Sequence, residues 1–526
     1  MTLSSITFSF QVSGRDTSFT GLGVRVCTRK ANGDGADIKI GRPRFPTFNG
    51  TTNPLQTCLP TANATTSCFQ GAVPVLAVNA TSPSDVQAAV VFAGEHNLRL
   101  SVRSTGHDYQ GRSTAVGSLL VWVRHMDVPV VHAENFVPAG CEGEGVTAVS
   151  AGPGTSNVEL VQANGAAGVA VGTGAGMTVS VSGGLITSGG HSPLSRQLGL
   201  ATQNVLELEV VTADGKLLIA NRCQNQDLFW ALRGGGGGTF GVVTRSTLRT
   251  YPSLPVAGLM LQLVPHTLPA LDAFFNDWIE AQTSLAESGW AGYFYFGTNY
   301  LSVVYLNPGA ESADAANATL APVWDAISKH AMNSSGFPGV FSGVRWFPTY
   351  QDWFSTVIEP PSASQGGHLS SRLFDASLLA NNASAVASAM MAVRPADGSA
   401  VIGHLVGAGA IGSKFDADET STNPAWRTSP LHVVVTNSWQ DLASANAGAD
   451  AFERAANASA RLAEVAGQAS YHNEAFSAEE NWQELFWGSN YPRLKQIKDV
   501  VDSEGLFVCH HCVGSEEWSA DGNCRI

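Results

Sequence analysis

Apolar residues in the first part of the chain follow two periods, one typical of helices and one of strands. Valine and alanine recur at helical spacing over residues 86–93. The preceding run Ser82-Pro83-Ser84-Asp85 supplies a cap, a proline and an acid for a helix start. Apolar and polar residues then alternate over residues 98–102, which predicts a strand. We therefore expect a strand–helix–strand unit that begins near Val73.

A hairpin and a short helix are predicted further along the chain. Residues 205–212 and 217–220 have the composition of two strands, and Ala213-Asp214-Gly215 between them is typical of a tight turn. Asn225 is expected to cap a helix over residues 226–233 that ends at a glycine.

Beyond Pro252 the pattern favours an antiparallel sheet backed by helices. Tyr293–Phe296 and Leu301–Leu306 flank a Gly-Thr-Asn turn and predict an aromatic hairpin. The other elements expected here are strands over 401–406 and 431–436 and alanine-rich helices near 313–330 and 440–466.

The predicted strand at 98–102 runs into a glycine-flanked loop that contains a histidine. Residues 101–113 spell Ser-Val-Arg-Ser-Thr-Gly-His-Asp-Tyr-Gln-Gly-Arg-Ser. Such a loop lets backbone N–H groups approach an anionic phosphate and presents the imidazole of His107 to a ligand. A surface turn is the competing interpretation of this segment taken alone.

A glycine run over residues 234–241 contains a Gly-x-Gly-x-x-Gly match, but the elements predicted on either side of it exclude a dinucleotide-binding site. A dinucleotide fingerprint follows a strand and opens a helix. This run follows a predicted helix and opens the strand Val242-Val243-Thr244. Because no Lys-Ser/Thr pair follows it, a P-loop is excluded as well.

Four segments in order resemble the berberine-bridge-enzyme-like branch of the vanillyl-alcohol-oxidase superfamily, and especially its fungal members. They are Arg103–Ser113, Thr178–Gly184 with Gly189-Gly190-His191, Asp227–Val243, and Tyr471–Glu474 with Phe486–Leu494. The resemblance implies an α+β fold. A two-subdomain FAD-binding domain of the p-cresol-methylhydroxylase type (PCMH-type) is expected beside a substrate domain with an antiparallel sheet backed by helices. The expected divisions are an irregular arm over 1–67, the FAD domain over 68–252, the substrate domain over 253–467, and a C-terminal return over 468–526.

The resemblance also implies where FAD lies. In the family the histidine that matches His107 is bonded covalently to the flavin. Many relatives add a second bond through a cysteine, but Gly176 stands at that position here. We therefore expect a single covalent link. The residues expected to bind the cofactor are Arg103, Ser104, Thr105, Gly106, His107, Asp108, Gly111, Thr178, Val179, Gly183, Gly184, Gly189, Gly190, Gly236, Gly241, Val243 and Asn490.

Four residues are candidates for catalysis under the same resemblance. Tyr109 is expected to polarise a substrate hydroxyl or to stack within its loop. His191 is expected to act as a base, since imidazole titrates near neutral pH, or to hydrogen-bond backbone or flavin. Tyr471 and Asn473 are expected to be catalytic or structural.

The reaction implied is that of an FAD-dependent oxidase. It would take a hydride from a small alcohol, sugar or specialised metabolite and pass the electrons to O₂, giving H₂O₂. The alternative is an FAD-dependent dehydrogenase, oxidative cyclase or isomerase that does not use O₂. A degenerate, non-enzymatic carrier is disfavoured by the intact glycine loops and His107. Tyr293, Tyr295 and Trp426 are expected either to line a sugar or polyphenol site or to pack in the core.

Composition and residue spacing limit the classes of partner that this protein can bind. The formal net charge of −14 without a basic stripe argues against nucleic acid, and the sequence has no apolar run of membrane-spanning length. Cys509-His-His-Cys512 resembles half of a zinc site, but no second pair stands at ligand spacing, so we expect no metal.

An even number of cysteines and seven Asn-x-Ser/Thr sequons favour the secretory pathway. Cys58 and Cys68 are the expected disulfide. Residues 1–12 lack the basic start and apolar run of a signal peptide. Either the protein stays inside the cell or its start is misassigned; we expect the second, and with it an extracellular protein. The sequons stand at Asn49, Asn63, Asn79, Asn317, Asn333, Asn382 and Asn457.

Overall fold

The structure, a computed structural model, has an α+β fold built on three main sheets. It describes residues 73–74, 76–126, 128–335, 342–358, 366–396, 399–439, 447–519, 522 and 524–526. The predicted disulfide between Cys58 and Cys68, the sequons at Asn49 and Asn63 and the N-terminal arm lie outside these residues.

The first sheet confirms the predicted strand–helix–strand unit. Its parallel strands lie in the order β1 (Leu76–Asn79), β3 (Leu119–Trp122), β2 (Leu100–Arg103). Helix α1 (Pro83–Glu95) begins with a capping box, in which Ser82 and Asp85 each accept a backbone N–H of the other. Its Val86, Ala89, Val90 and Ala93 are buried in the core with the strands. Strand β2 therefore delivers the following loop at the edge of the sheet.

The second sheet is antiparallel and contains the predicted hairpin. Its order is β4 (Val131–Phe136), β5 (Val146–Ala151), β9 (Val242–Arg249), β7 (Val205–Val211), β8 (Leu217–Asn221). The strand after the glycine run is thus confirmed as β9. Beside the sheet lie β6 (Val169–Ala170), which pairs with β10 (Tyr251–Pro252), and the helices α2 (Asn157–Ala166), α3 (Ile186–Ser188), α4 (Ser195–Leu198) and α5 (Gln226–Leu232).

Asn225 does precede α5, but it does not cap that helix with its side chain, so this prediction is wrong. Its φ of 51° is left-handed, and its side-chain amide donates to the carbonyl of Ile219 instead. Asparagine tolerates this conformation because its short polar side chain bonds the local backbone.

The third sheet confirms the predicted antiparallel sheet backed by helices, and it has more strands than the sequence pattern predicted. Its order is β14 (Asn333–Ser335), β11 (Val256–Val264), β13 (Leu301–Pro308), β12 (Ala291–Phe296), β17 (Val401–Leu405), β18 (Leu431–Trp439), β16 (Gly366–Phe374), and β15 (Gly343–Phe347) also pairs with β11. The aromatic hairpin is β12 and β13. Around the sheet lie α6 (Leu268–Glu287), α7 (Ala313–Ala318), α8 (Ala321–Lys329), α9 (Tyr350–Val357), α10 (Ala376–Ala392), α11 (Ala410–Ser413) and α12 (Ala447–Ala466).

The C-terminal segment returns to the second sheet. Helices α13 (Trp482–Trp487) and α14 (Tyr491–Val501) bury Trp487 and Leu494 in the same core as Leu208 and Trp230. The Trp487 indole donates to the carbonyl of Gly234 at 2.9 Å, which fixes the glycine run against this segment.

Two disulfides lie within the described residues. Cys141 pairs with Cys223, and Cys509 pairs with Cys512. The second pairing uses both thiols of the Cys-His-His-Cys motif, which therefore cannot supply thiolates to zinc. None of the helices in the described part of the chain has the length and apolar character needed to cross a bilayer.

Candidate active site

A cavity of about 850 Å³ lies where the first two sheets, the third sheet and the C-terminal segment meet. This volume is near the upper end of the roughly 300–1,000 Å³ range of ligand pockets. Glycine-rich loops line one end, and side chains with polar atoms line the other. The cavity therefore suits a long ligand whose two ends need different surroundings.

The loop after β2 forms the first wall of the cavity and is held from within by Asp108. The Asp108 carboxylate accepts the backbone N–H of Ser113 at 2.6 Å and pairs with the Arg112 guanidinium at 3.1 Å. Gly106 has a φ of +88°, and its backbone approaches the Arg103 side chain so closely that a Cβ would collide with it. The loop consequently turns with a fixed shape and exposes His107.

A second loop, over residues 174–184, meets the first across the cavity. The hydroxyls of Ser104 and Ser180 both donate to the carbonyl of Pro153, at 2.5 and 2.7 Å. Between the loops, His107 Nε2 and Thr178 Oγ1 lie 2.7 Å apart in a hydrogen bond. Burial lowers the pKa of His107, so the ring is neutral at pH 7 and has a nucleophilic nitrogen.

The glycine run supplies the third wall. Its Gly236 has a φ of +107°, and a Cβ there would lie 2.9 Å from His472 Cε1. A Cβ on Gly237 would lie 3.1 Å from Gly184 Cα, whereas one on Gly184 would point into open space. Bare backbone thus faces the cavity from both loops, which is the surface that a pyrophosphate requires. The residues present therefore fit FAD.

At the polar end, three residues of the C-terminal segment are fixed by hydrogen bonds. Tyr471 Oη accepts the N–H of Gly190 at 3.2 Å and the side-chain amide of Asn473 at 2.8 Å. Arg112 donates to the Asn473 side-chain oxygen at 2.8 Å and contacts His472 Nε2 at 2.7 Å. These contacts join the His107 loop to the C-terminal return.

His191 stands beside Tyr471, immediately after the left-handed Gly189 and Gly190. Its Nε2 lies 3.3 Å from both carboxylate oxygens of Glu474. Burial opposes ionisation of Glu474, but the neighbouring His191 and His404 outweigh that effect and lower the Glu474 pKa. Glu474 is therefore a carboxylate at neutral pH, held against an imidazole at the cavity wall.

The two tyrosines of this end are donors rather than bases. Burial raises the pKa of Tyr109, and the Glu474 charge raises it further. The pKa of Tyr471 is raised mainly by burial and again by Glu474, despite the two hydrogen bonds that it accepts. Both hydroxyls keep their protons at pH 7, and they offer those protons to a ligand.

Most of the residues expected from the sequence line this cavity, and some lie behind it. Those on the lining are Ser104, Thr105, Gly106, His107, Asp108, Tyr109, Val179, Gly183, Gly184, His191, Gly236, Gly241, Val243, Tyr471 and Asn473. Gly189 and Gly190 shape the turn before His191. Asn490 donates to the Thr422 carbonyl at 2.7 Å. Tyr293 and Tyr295 line the cavity, whereas the Trp426 indole is buried against His432 and Tyr471.

Sequence reasoning missed Glu474, Arg112, His404 and His432. Glu474 and Arg112 stand inside the segments that carry the family resemblance, where their charged side chains are the signal that sets them apart. His404 and His432 come from β17 and β18, where they are register partners. Only the pairing of two distant strands brings them together, so no local spacing could have revealed them.

Two family models match the chain. A model described as "FAD binding domain" matches residues 74–221, and one described as "Berberine and berberine like" matches residues 470–514. The first covers both glycine loops that precede α5, and the second covers the segment that bears Tyr471, Asn473 and Glu474.

An uncharacterised FAD-linked oxidoreductase from Arthroderma benhamiae is 35% identical over 483 residues, covering 87% of this chain and 80% of that protein. The chain belongs to the berberine-bridge-enzyme-like branch of the vanillyl-alcohol-oxidase family. It is thus an FAD-dependent oxidoreductase. The flavoprotein oxidase VAO615 from Thermothelomyces thermophilus is 31% identical, covering 89% of this chain and 81% of its own.

Solved structures of the branch have the same fold. The flavoprotein MtVAO615 from Myceliophthora thermophila matches with a TM-score of 0.78 at 30% identity, covering 87% of this chain and 83% of its own. MtVAO713 from the same organism matches with a TM-score of 0.81 at 26% identity, covering 89% and 86%. A chitooligosaccharide oxidase, at 20% identity and a TM-score of 0.66, shares the fold.

Proposed function

We propose that this FAD-linked oxidoreductase is an oxidase that takes a hydride from a small alcohol, sugar or specialised metabolite and passes the electrons to O₂. The observation that carries the proposal is the division of the cavity. Its backbone-lined end fits the pyrophosphate of FAD, and its other end gathers hydrogen-bonding groups where a substrate oxygen would lie. A relative that is 31% identical bears the name flavoprotein oxidase, which supports this choice.

The FAD is held by one covalent bond, through His107. The neutral imidazole lines the cavity between the two loops, and Thr178 holds one ring nitrogen by a hydrogen bond. Gly176 occupies the place of the second link on the cavity wall. Among the described residues that line the cavity, the only cysteine is Cys509, whose sulfur is in the disulfide with Cys512.

Bound FAD supplies the hydride acceptor and the later reaction with O₂. The chain's own residues handle the substrate's oxygen and its proton. Tyr471 accepts hydrogen bonds from Gly190 and Asn473, so its own proton is directed into the cavity. Tyr109 offers a second donor, and the His191–Glu474 corner offers the acceptor side. A hydroxyl placed among them is oriented and loses its proton at that corner.

The substrate binds against β11, β12 and β13, in the division over residues 253–467. Tyr293, Tyr295 and Tyr300 line this wall together with Gln262 and Ser302. Aromatic faces beside hydrogen-bonding groups fit a sugar or an aromatic metabolite. The divisions over 68–252 and 468–526 hold the cofactor, as the two family matches support.

The protein works outside the cell. The Cys141–Cys223 disulfide suits an oxidising compartment. Four of the sequon asparagines are exposed on the described surface, where glycosylation requires them to be, namely Asn317, Asn333, Asn382 and Asn457.

A turnover screen with coupled peroxide detection tests the oxidase proposal. Purified protein is mixed in air with a panel of alcohols, oligosaccharides and phenolic metabolites, and flavin reduction and H₂O₂ are followed together. One H₂O₂ per substrate oxidised is expected, and Tyr471→Phe should slow both signals. Flavin reduction without peroxide, with turnover restored by an artificial dye, would show a dehydrogenase instead.

A further inference from the structure

Three imidazoles and one carboxylate converge on a single point of the cavity wall. His191 Nε2, His432 Nδ1 and His404 Nδ1 lie 3.3, 3.5 and 3.8 Å from Glu474 Oε2. His404 Nδ1 and His432 Nδ1 lie 3.3 Å apart. One ligand atom from each residue lies within 4.8 Å of the others. Metal–ligand bonds of about 2.0–2.1 Å in a tetrahedron place neighbouring ligand atoms about 3.3 Å apart. The three distances to Glu474 and the distance between His404 and His432 are close to that spacing.

The four residues come from rigid parts of the fold. His404 on β17 and His432 on β18 are register partners in the middle of a sheet. His191 follows the left-handed pair Gly189 and Gly190, whose carbonyls accept the N–H groups of Thr202 and Ala201. Glu474 closes a turn with Tyr471, whose carbonyl accepts its N–H. The geometry is thus preorganised rather than dependent on mobile side chains.

The carboxylate of Glu474 lies among these three rings. Within the described residues, they are its recorded ion-pair partners. Imidazole nitrogens and carboxylate oxygens are both ligands of zinc. A divalent cation where they meet would pair with the charge of the largely buried carboxylate.

Within the described residues, His191 and His432 engage polar groups only through the ring nitrogen that faces the cluster. Their outer nitrogens, Nδ1 of His191 and Nε2 of His432, are buried and have no hydrogen-bond partner in the part of the chain that the structure describes. Their polar contacts therefore point inward, toward the place where the four residues meet.

We propose that His191, His404, His432 and Glu474 form a site for a divalent transition metal of the zinc type in the substrate end of the cavity. Imidazole nitrogens suit Zn²⁺ and its neighbours, whereas Mg²⁺ and Ca²⁺ prefer oxygen ligands alone. His191, His404 and Glu474 border the cavity, so the ion has one side open to it. Zinc can accept a fifth ligand there, and a bound hydroxyl would lose its proton more readily. That catalytic role rests on the proposed oxidase function; the metal site itself does not.

Zinc binding to the flavin-containing protein tests the site without any turnover. Protein with a histidine-free affinity tag is stripped with a strong chelator, loaded with ZnCl₂ and desalted, and zinc per chain is measured by mass spectrometry. His404→Asn and Glu474→Gln are compared with the wild type. His368→Gln is the matched control, because His368 is also a buried histidine of the same sheet but lies outside the cluster. Flavin absorbance and melting temperature report whether each variant folds.

One zinc per chain is expected for the wild type and for His368→Gln. The affinity of Glu474→Gln and of His404→Asn, measured by competition with a coloured chelator, should fall at least ten-fold while flavin is retained. If the His404 variant loses its flavin, the Glu474 variant decides the result. Absence of zinc from the loaded wild type, or equal affinity in wild type and folded Glu474→Gln, would overturn the metal site and leave the oxidase proposal standing.

Discussion

Tyr471 shows how a single side chain connects the two halves of the site. Its hydroxyl accepts the N–H of Gly190 and the amide of Asn473, so it fixes the turn before His191 and the end of the C-terminal segment at once. The residue is buried, and its raised pKa keeps the phenol protonated. Because the phenol keeps its proton at neutral pH, it can donate a hydrogen bond to a substrate oxygen.

Replacing Tyr471 with phenylalanine should therefore harm both turnover and stability. The buried Gly190 N–H loses its acceptor, which costs about 1–3 kcal/mol of unfolding free energy. Loss of a preorganised hydrogen-bond donor at the polar end of the cavity should lower kcat by about 100-fold. Steady-state kinetics and urea unfolding measure the two effects. Tyr300→Phe is the control, because Tyr300 also lines the cavity but stands on the substrate wall; an equal loss of kcat there would contradict the role given to Tyr471.

Individual residues were the hardest part of the site to infer from the sequence. Some were predictable: His107, Tyr109 and His191 stand in glycine-rich motifs that resemble those of the family. His404 and His432 carry no such mark, since each is one polar residue in an apolar strand. They meet because β17 pairs with β18 in one register, and that register depends on contacts across the whole sheet.

At the scale of elements, the glycine run between α5 and β9 shows why backbone geometry matters more than side chains at the cofactor end. Trp487 bonds the carbonyl of Gly234, and the carbonyl of Thr187 accepts the N–H of Gly234 and of Gly236. The run thereby lies close to Gly184, so that a Cβ on Gly237 would come within 3.1 Å of the Gly184 Cα.

Gly236→Ala should abolish the retention of FAD. The φ of +107° is strained for alanine, and the new Cβ would lie 2.9 Å from the His472 ring, so the run must move. The ratio of flavin absorbance to protein absorbance measures this loss. Gly94→Ala is the control, because a Cβ on Gly94 in α1 meets no atom within 4 Å. Gly94→Ala should keep its flavin and gain about 0.5–1 kcal/mol of stability; full flavin in Gly236→Ala would contradict the account.

Elements with strong local signals were predicted well. The capping box of α1, the hairpin of β7 and β8 and the aromatic hairpin of β12 and β13 all have sequence marks that the structure confirms. The long helices α6 and α10 and the strands β11 and β16 went unpredicted. In α6, α10 and β11 most positions are apolar, because these elements pack in the core of the third sheet, and the helical and strand periods are obscured. β16 consists mainly of small and polar residues, so it lacks the apolar alternation of a half-buried strand.

Across the whole molecule, buried neutral histidines make the fold sensitive to acid. Burial lowers the pKa of His368 to about 4; a hydrogen bond to the Gly448 backbone opposes this shift, and the nearby Arg454 charge adds to it. As the pH falls below about 6.5, the unfolded chain takes up a proton that the folded chain refuses until about pH 4. Stability should therefore fall across this window and show no further loss from His368 below it.

His368→Gln tests that pH dependence. Over the window from pH 6.5 to pH 4, the wild type should lose about 3 kcal/mol more unfolding free energy than the variant, since one pKa unit corresponds to 1.36 kcal/mol. Urea unfolding at several pH values, followed by tryptophan fluorescence, measures the difference. Parallel stability curves for the two proteins would show that His368 titrates normally in the folded state.

The general arrangement of the molecule could be predicted from the sequence, because four separated segments match the family's motifs in the family's order. What the sequence left open is how the third sheet lies over the cavity, since its strands carry few distinctive residues. That sheet supplies β17 and β18 to the proposed metal site and Tyr293 to the proposed substrate wall. The chemistry at the substrate end is thus a property of the assembled fold.

The proposed covalent bond between His107 and FAD gives the most direct test of the whole account, because the proposal depends on the family, on the loop geometry and on Gly176 at the position of the second link. Wild type, His107→Ala and the control Thr178→Ser are denatured in acid and in SDS, and flavin fluorescence is recorded in the gel. Flavin should stay with the wild type and with Thr178→Ser, whose hydroxyl can still bond the ring, and should leave His107→Ala completely. Flavin that remains on the denatured His107→Ala chain, or that leaves the denatured wild type, would contradict the single link proposed here.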